Sequence, residues 1–217
     1  MKTIKKDEKA YAIEEAIEKI KAQKGKFDGT VEVHINLLRD AKKQEINVRY
    51  TTTLPHGTGK TKKVAVLASK KVPNADIELM EEDLSKIEKG EIKPKVHFDA
   101  FISEPRFMPK IAKVARVLGP VGMMPNPKNG TVTEDVETAV AQIKKGKIEV
   151  RTEKDIPVIH TVIGKCSFTK EQLLENYKEL MQSLKQNRPP KSPLNWIKSI
   201  YLSPTMGRSV QIDINTL

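Results

Sequence analysis

The sequence predicts a mixed fold in two domains, an α/β domain inserted into an α+β domain, on three observations. Apolar and polar residues alternate from Val31 to Leu37, the period-two mark of a strand with one wet face. After Pro55-His56-Gly57-Thr58-Gly59 the strands become short and continuously apolar and alternate with helical stretches, the pattern of a Rossmann-like α/β unit. From Ile148 onward alternating strands return. The changes near 57 and 150 set the expected parts at 1–59 with 151–217, and 60–150. Periodicity alone leaves open whether the two outer segments meet.

Ala10, Ile13, Ala16, Ile17 and Ile20 recur at three- and four-residue steps, predicting an amphipathic helix over 7–23 ended by Gly25. Val31, Val33, Ile35 and Leu37 then alternate with Thr30, Glu32, His34 and Asn36. Ile46, Val48 and Tyr50 alternate with Asn47, Arg49 and Thr51, so the two stretches suit an antiparallel pair whose outer face is open. Val64 to Ala68 is a short apolar strand, followed by an acidic helical region near 75–90. A strand at Phe98–Ile102, a helix near 107–117, a loop from Leu118 to Gly130 and a helix from Glu134 to about Lys145 complete the insert. Thr169 and Gln172 read as a capping box for a helix with Leu173, Leu174, Tyr177, Leu180, Met181 and Leu184 on one face. The last strands are expected near 197–202 and 210–214.

The chain has 217 residues, with 39 Lys and Arg against 28 Asp and Glu, a formal charge of +11. Such a surplus points to a polyanionic partner. Apolar runs fall well short of the roughly 20 residues of a membrane span, and no apolar stretch follows the charged start, so nucleic acid is expected rather than a membrane. One cysteine, Cys166, forms no internal disulfide and reads as a small buried hydrophobe in a cytoplasmic protein. The charge is segregated: eight basic residues face one acidic residue from Lys42 to Lys71, and seven acidic face two basic from Asn74 to Glu91. One surface should therefore meet phosphate and another avoid it.

Gly59-Lys60-Thr61 invites a phosphate-loop reading and, with it, a nucleotide-dependent enzyme. That loop needs an earlier glycine where this chain has Leu54, and it should open a helix, whereas Val64-Ala65-Val66 reads as a strand. A hinge at Gly57 and Gly59 fits better. His34, His56, His97 and His160 show no metal-ligand spacing, so neither a metal nor a cofactor is expected. Thr205-Met206-Gly207-Arg208-Ser209 lies between two strands. It is either a tight turn or a place where glycine admits a sugar-phosphate backbone, threonine offers a hydroxyl and methionine packs on ribose or base. Phe27, just before the polar strand face, is either a staple onto the first helix or an RNA-stacking group. Leu118 to Gly130, with three glycines and three prolines, reads as an ordered loop between buried anchors, displaying Asn126, Lys128 and Asn129.

That loop resembles the signature loop of the ribosomal protein L-one family, the RNA-binding protein of the mobile large-subunit stalk, in its bacterial form. The resemblance extends over Lys26 to His34, Asn47-Val48-Arg49, Leu54 to Lys60, Leu118 to Val132, Ile159-His160, Gly164-Lys165 and Thr205 to Ser209. It implies that the outer segments form one discontinuous RNA-binding α+β domain with an antiparallel sheet, around a three-layer Rossmann-like insert. It implies no catalysis, and binding to the large-subunit rRNA stalk beside other large-subunit components. It further implies assistance to exit-site tRNA, repression of the chain's own operon mRNA, and a monomer when free. The RNA-binding positions it marks are Lys26, Phe27, Thr30, Glu32, Ser199, Thr205, Met206 and Gly207, joined as candidates by His34 on the same strand face and Ser209 after the turn; a glutamate there can accept from ribose hydroxyls. A general nucleic-acid-coating protein is the other binding alternative. The chain departs from the family pattern at Val121, Tyr50 and Ser203-Pro204.

Overall fold

The computed structural model describes residues 10–23, 25, 27–38, 48–153, 156–189, 192–193 and 195–214. Among the described residues the fold is mixed α and β, with three separate sheets. The chain divides into two compact units, the first from residues up to Gly59 and from Ile148 onward, the second Lys60–Lys147.

In the first unit, helix α1 (Ile13–Ala22) buries Ala16, Ile17 and Ile20 on one stripe. Glu14 and Glu15 in its first turn and Lys19 and Lys21 in its last complement the helix dipole. Strand β1 (Thr30–Leu37) alternates half-buried and buried residues without a break. It does not pair with β2 (Arg49–Thr53), as the sequence reading expected. Instead β1 lies inside a four-stranded sheet between β7 (Val158–Lys165) and β8 (Ile197–Pro204), antiparallel to both, with β9 (Val210–Ile212) outside β8. Strand β2 pairs with β6 (Lys147–Arg151) in a sheet of its own. Alternation reports which face is buried and carries no information on the partner; β1 finds two partners of its own length, eight residues each.

The buried face of that sheet, with Val33, Ile35, Ile159, Ile200 and Leu202, packs with α1 and with α6 (Lys170–Gln186) in one core. Helix α6 starts at the predicted capping box: Thr169 Oγ1 accepts from Gln172 N–H and Gln172 Oε1 accepts from Thr169 N–H. Asn176, wholly buried on α6, accepts from His56 N–H at 3.0 Å and donates to the carbonyls of Gly57 (3.0 Å) and Ile163 (2.7 Å). That single side chain ties down the Pro55–Gly59 turn, whose Gly57 and Gly59 have φ of 66° and 73°.

In the second unit, β3 (Val64–Leu67), β4 (Ile77–Glu78) and β5 (Ala100–Ser103) form a parallel sheet in the order β4-β3-β5. All four residues of β3 are buried. Ala65 and Leu67 pack with Leu84 and Ile87 of α2 (Asp83–Glu88), Ile111 of α3 (Met108–Ile111) and Leu118 of α4 (Ala115–Val121). Val64 and Val66 pack with Val136, Val140 and Ile143 of α5 (Val136–Lys144). The acidic stretch near 75–90 is thus a short strand followed by a short helix, not one helix.

The helix expected near 107–117 is broken by 3-10 turns at Pro105–Phe107 and Ala112–Val114. Its last piece, α4, continues through Gly119-Pro120 to Val121, so the first four residues of the expected loop are helical. Pro120 lacks the N–H that would bond to Arg116, which weakens the final turn without preventing it. Gly122, at φ 74° and ψ 18°, then stops the helix: its N–H bonds to Gly119 O, and Met123 N–H bonds to Leu118 O at 3.0 Å. This is a Schellman stop anchored by buried Leu118. Beyond it Asn126 turns inward, its Oδ1 accepting from Lys128 N–H and its N–H donating to Thr131 Oγ1. Lys128 is the exposed member of Asn126, Lys128 and Asn129.

Candidate nucleic-acid interface

The other face of the four-stranded sheet is built from the polar positions of β1. Thr30 lies opposite Lys165; Glu32 between Val162 and Ser203; His34 between His160 and Tyr201; and Asn36 between Val158 and Ser199. Tyr201 continues the third row to Gln211 on β9, 3.4 Å from its hydroxyl.

At one end of this face the β8–β9 turn folds onto β1. Thr205 N–H donates to Thr30 O at 2.9 Å, while Thr205 Oγ1 accepts from Thr30 N–H at 3.1 Å. Gly207 N–H closes the turn on Pro204 O. The turn's third residue, Met206, has φ 67° and is 91% exposed. A left-handed conformation costs a residue with a Cβ about 1 kcal/mol, and here it holds an apolar side chain out in water. Gly207 has no room for a side chain, since a Cβ there would sit 2.4 Å from Pro204 Cγ. Gln23, at the end of α1, accepts from Arg208 N–H at 2.7 Å and fixes the far side of the turn. Pro204 is buried and fills the space that a side chain at Gly207 would need.

Phe27, 52% exposed, stands beside the turn, its ring over Gly29, whose added Cβ would lie 3.5 Å from both that ring and Thr205 O. It does not belong to the apolar cluster that α1 joins. Asp28 accepts from Ser167 N–H and Oγ and lies 3.7 Å from Lys165 Nζ. These contacts hold Phe27 and the Lys165 ammonium on the same end of the sheet.

Phe27, Thr30, Thr205, Met206 and Gly207 come together, with exposed Ser209 following the turn. Glu32 and His34 extend the patch along β1. Ser199 does not join it: it is 8% exposed, accepts from Asn36 Nδ2, and sits six residues down β8 from Thr205, roughly 20 Å away. Lys26 lies outside the described residues. His160, Gln23 and Asp28 were not anticipated. Alternation along 158–165 would have put His160 on a strand face, but only register places it against His34.

Gly59-Lys60-Thr61 leads into strand β3, not a helix, Leu54 is buried, and Lys60 Nζ pairs with Asp99 at 2.6 Å. The phosphate-loop alternative fails on geometry. Among the described residues no group of three His, Cys, Asp or Glu side chains converges to hold a metal, and no helix is long and apolar enough to cross a membrane.

Among the described residues this sheet face is left open and set with polar groups, so the basic, mixed α/β chain presents a surface of the class that suits binding. The model of the family described as Ribosomal protein L1p/L10e matches residues 16–208. Large ribosomal subunit protein uL1 of Prochlorococcus marinus strain MIT 9215 is 44% identical over 218 residues, covering 97% of this chain and 91% of the relative. Its counterpart in strain MIT 9211 is 42% identical over 218 residues, covering 97% and 91%. The chain belongs to the ribosomal protein L1p/L10e family, and as a ribosomal protein it is structural and not an enzyme.

Proposed function

We propose that the chain is a constituent of the large ribosomal subunit, located on cytoplasmic ribosomes, that binds the rRNA stalk through the open face of β1 and the Thr205-Met206-Gly207 turn. The observation that carries this reading is Met206, held at positive φ and almost wholly exposed beside half-exposed Phe27. Two apolar side chains kept in water by a pinned turn suit packing on ribose and base. The neighbouring Glu32, Thr30 and Thr205 suit ribose hydroxyls and phosphates. The domain reading that goes with it is a discontinuous RNA-binding α+β domain carrying a Rossmann-like α/β insert, joined through a hinge at Gly57 and Gly59. Exit-site tRNA and the chain's own operon mRNA are further proposed partners of the same protein, acting as a monomer when free. The net charge of +11 supports a polyanion as partner.

The test is binding to a folded stalk rRNA fragment in competition with duplex RNA of equal length. Thr205→Val and Met206→Asp should each weaken stalk binding by about 1–3 kcal/mol while leaving the circular dichroism spectrum unchanged. Equal affinity for stalk and duplex would instead favour a general coating protein.

A further inference from the structure

The third row of the open face pairs His34 of the RNA patch with a second histidine, His160, that the RNA-binding reading does not use. His34 Nδ1 and His160 Nδ1 lie 2.6 Å apart, their rings edge to face at 4.8 Å between centroids. Each ring turns its other nitrogen to a glutamate: His34 Nε2 is 3.9 Å from Glu32, and His160 Nε2 is 3.8 Å from Glu153. The remaining described groups facing the pair are the phenol of Tyr201, opposite His34 on β8, and beyond it Gln211 on β9.

The proton count of this arrangement is definite. A neutral pair has two protons for four nitrogens: one in the Nδ1–Nδ1 bridge and one on a single Nε2, so one Nε2 faces its carboxylate bare. A third proton fills that place, so that both Nε2 atoms carry a proton 3.8–3.9 Å from a carboxylate while the Nδ1–Nδ1 bridge stays intact. A fourth would put two protons into a 2.6 Å gap and break the bridge. The cluster is built to accept one proton and no more. In the free protein burial, then the charge on His160, holds the His34 imidazole below its usual range, with Glu32 opposing.

The row's charge gives that proton a use. With the pair neutral, Glu32 and Glu153 present two negative charges to the solvent above β1 and β7, where a phosphate chain would lie. We infer that RNA binding at this face takes up one proton onto the His34–His160 pair, which makes a carboxylate-bearing surface compatible with a polyanion. His160 and Glu153 thereby become part of the interface. The inference rests on the reading of the open face as the RNA surface.

Linkage fixes the sign: if RNA raises the pair's affinity for a proton, RNA affinity rises as pH falls, by at most about tenfold per pH unit for one proton. Calorimetric titration with the stalk rRNA fragment at pH 7 and constant ionic strength, in two buffers of different ionisation enthalpy, counts the protons. Wild type should take up a fraction of a proton approaching one, and the double variant His34→Gln, His160→Gln should take up none and bind with a flat pH profile between 6 and 8. Thr205→Val should weaken binding while keeping the proton count. Histidine Cε1–H resonances of the wild type should titrate at higher pH with RNA than without. RNA binding without proton uptake, uptake unchanged in the double variant, or resonances unmoved by RNA would each overturn the inference and leave the RNA face standing. Failure of the wild type to bind the fragment at any pH would overturn both.

Discussion

The two larger sheets solve the same problem in opposite ways. In the second unit β3 is buried at all four positions, with helices against both faces, and the sheet is spent on holding that unit together. In the first unit β1 is buried at every second position, and among the described residues helices lie against one face only. Parallel sheets are covered on both sides because their crossovers lay helices there; an antiparallel sheet escapes that constraint. The face it leaves uncovered is where a rigid, polar surface becomes available to a partner.

The contrast breaks most plainly under core truncation. Leu67→Ala, in the doubly covered sheet, should cost about 3 kcal/mol in urea unfolding, while His34→Thr on the open face should cost less than about 1 kcal/mol. Similar costs would mean that the open face carries stability after all. A smaller effect separates stability from binding within the open face. Met206→Gly relieves the positive φ at the expense of chain entropy, so stability should move by less than about 1 kcal/mol. Stalk RNA affinity should nonetheless drop several-fold, read by filter binding; an unchanged affinity would make Met206 a bystander. The smallest effect belongs to the covered sheet's edge. The Val64 N–H, at 2.8 Å, holds the Asp76 carboxyl below its ordinary value of 3.8, with Lys144 adding to it and burial opposing. A depressed carboxylate contributes stability that is present above the unfolded value and lost as pH falls through the folded one. Urea midpoints measured from pH 5 downward should therefore fall more steeply below about pH 4 in wild type than in Asp76→Asn.

Local signals located most elements. The capping box at Thr169 and Gln172 needs only three residues of spacing, and both of its hydrogen bonds are present. The polar face of β1 follows from strict alternation, and the turn at Thr205-Met206-Gly207 from its glycine. The expected loop from Leu118 is different: Gly119-Pro120 reads as helix-breaking, yet burial of Leu118 and the stop at Gly122 keep that turn helical. Ser199 lies farther along the open face, opposite Asn36, where its hydroxyl oxygen accepts from Asn36 and the residue is 8% exposed.

The sequence by itself determined the family, the net charge of +11, the face each strand buries and which polar side chains β1 turns to its open side. Those properties depend on composition and on neighbours a few residues apart. Tertiary structure alone decided that β1 sits between β7 and β8 rather than beside β2, that Asn176 reaches back 120 residues to the His56 amide, and that His160 meets His34 across 126. Strand pairing is set by the packing of a whole core, and a periodicity of two is the same whichever strand lies alongside.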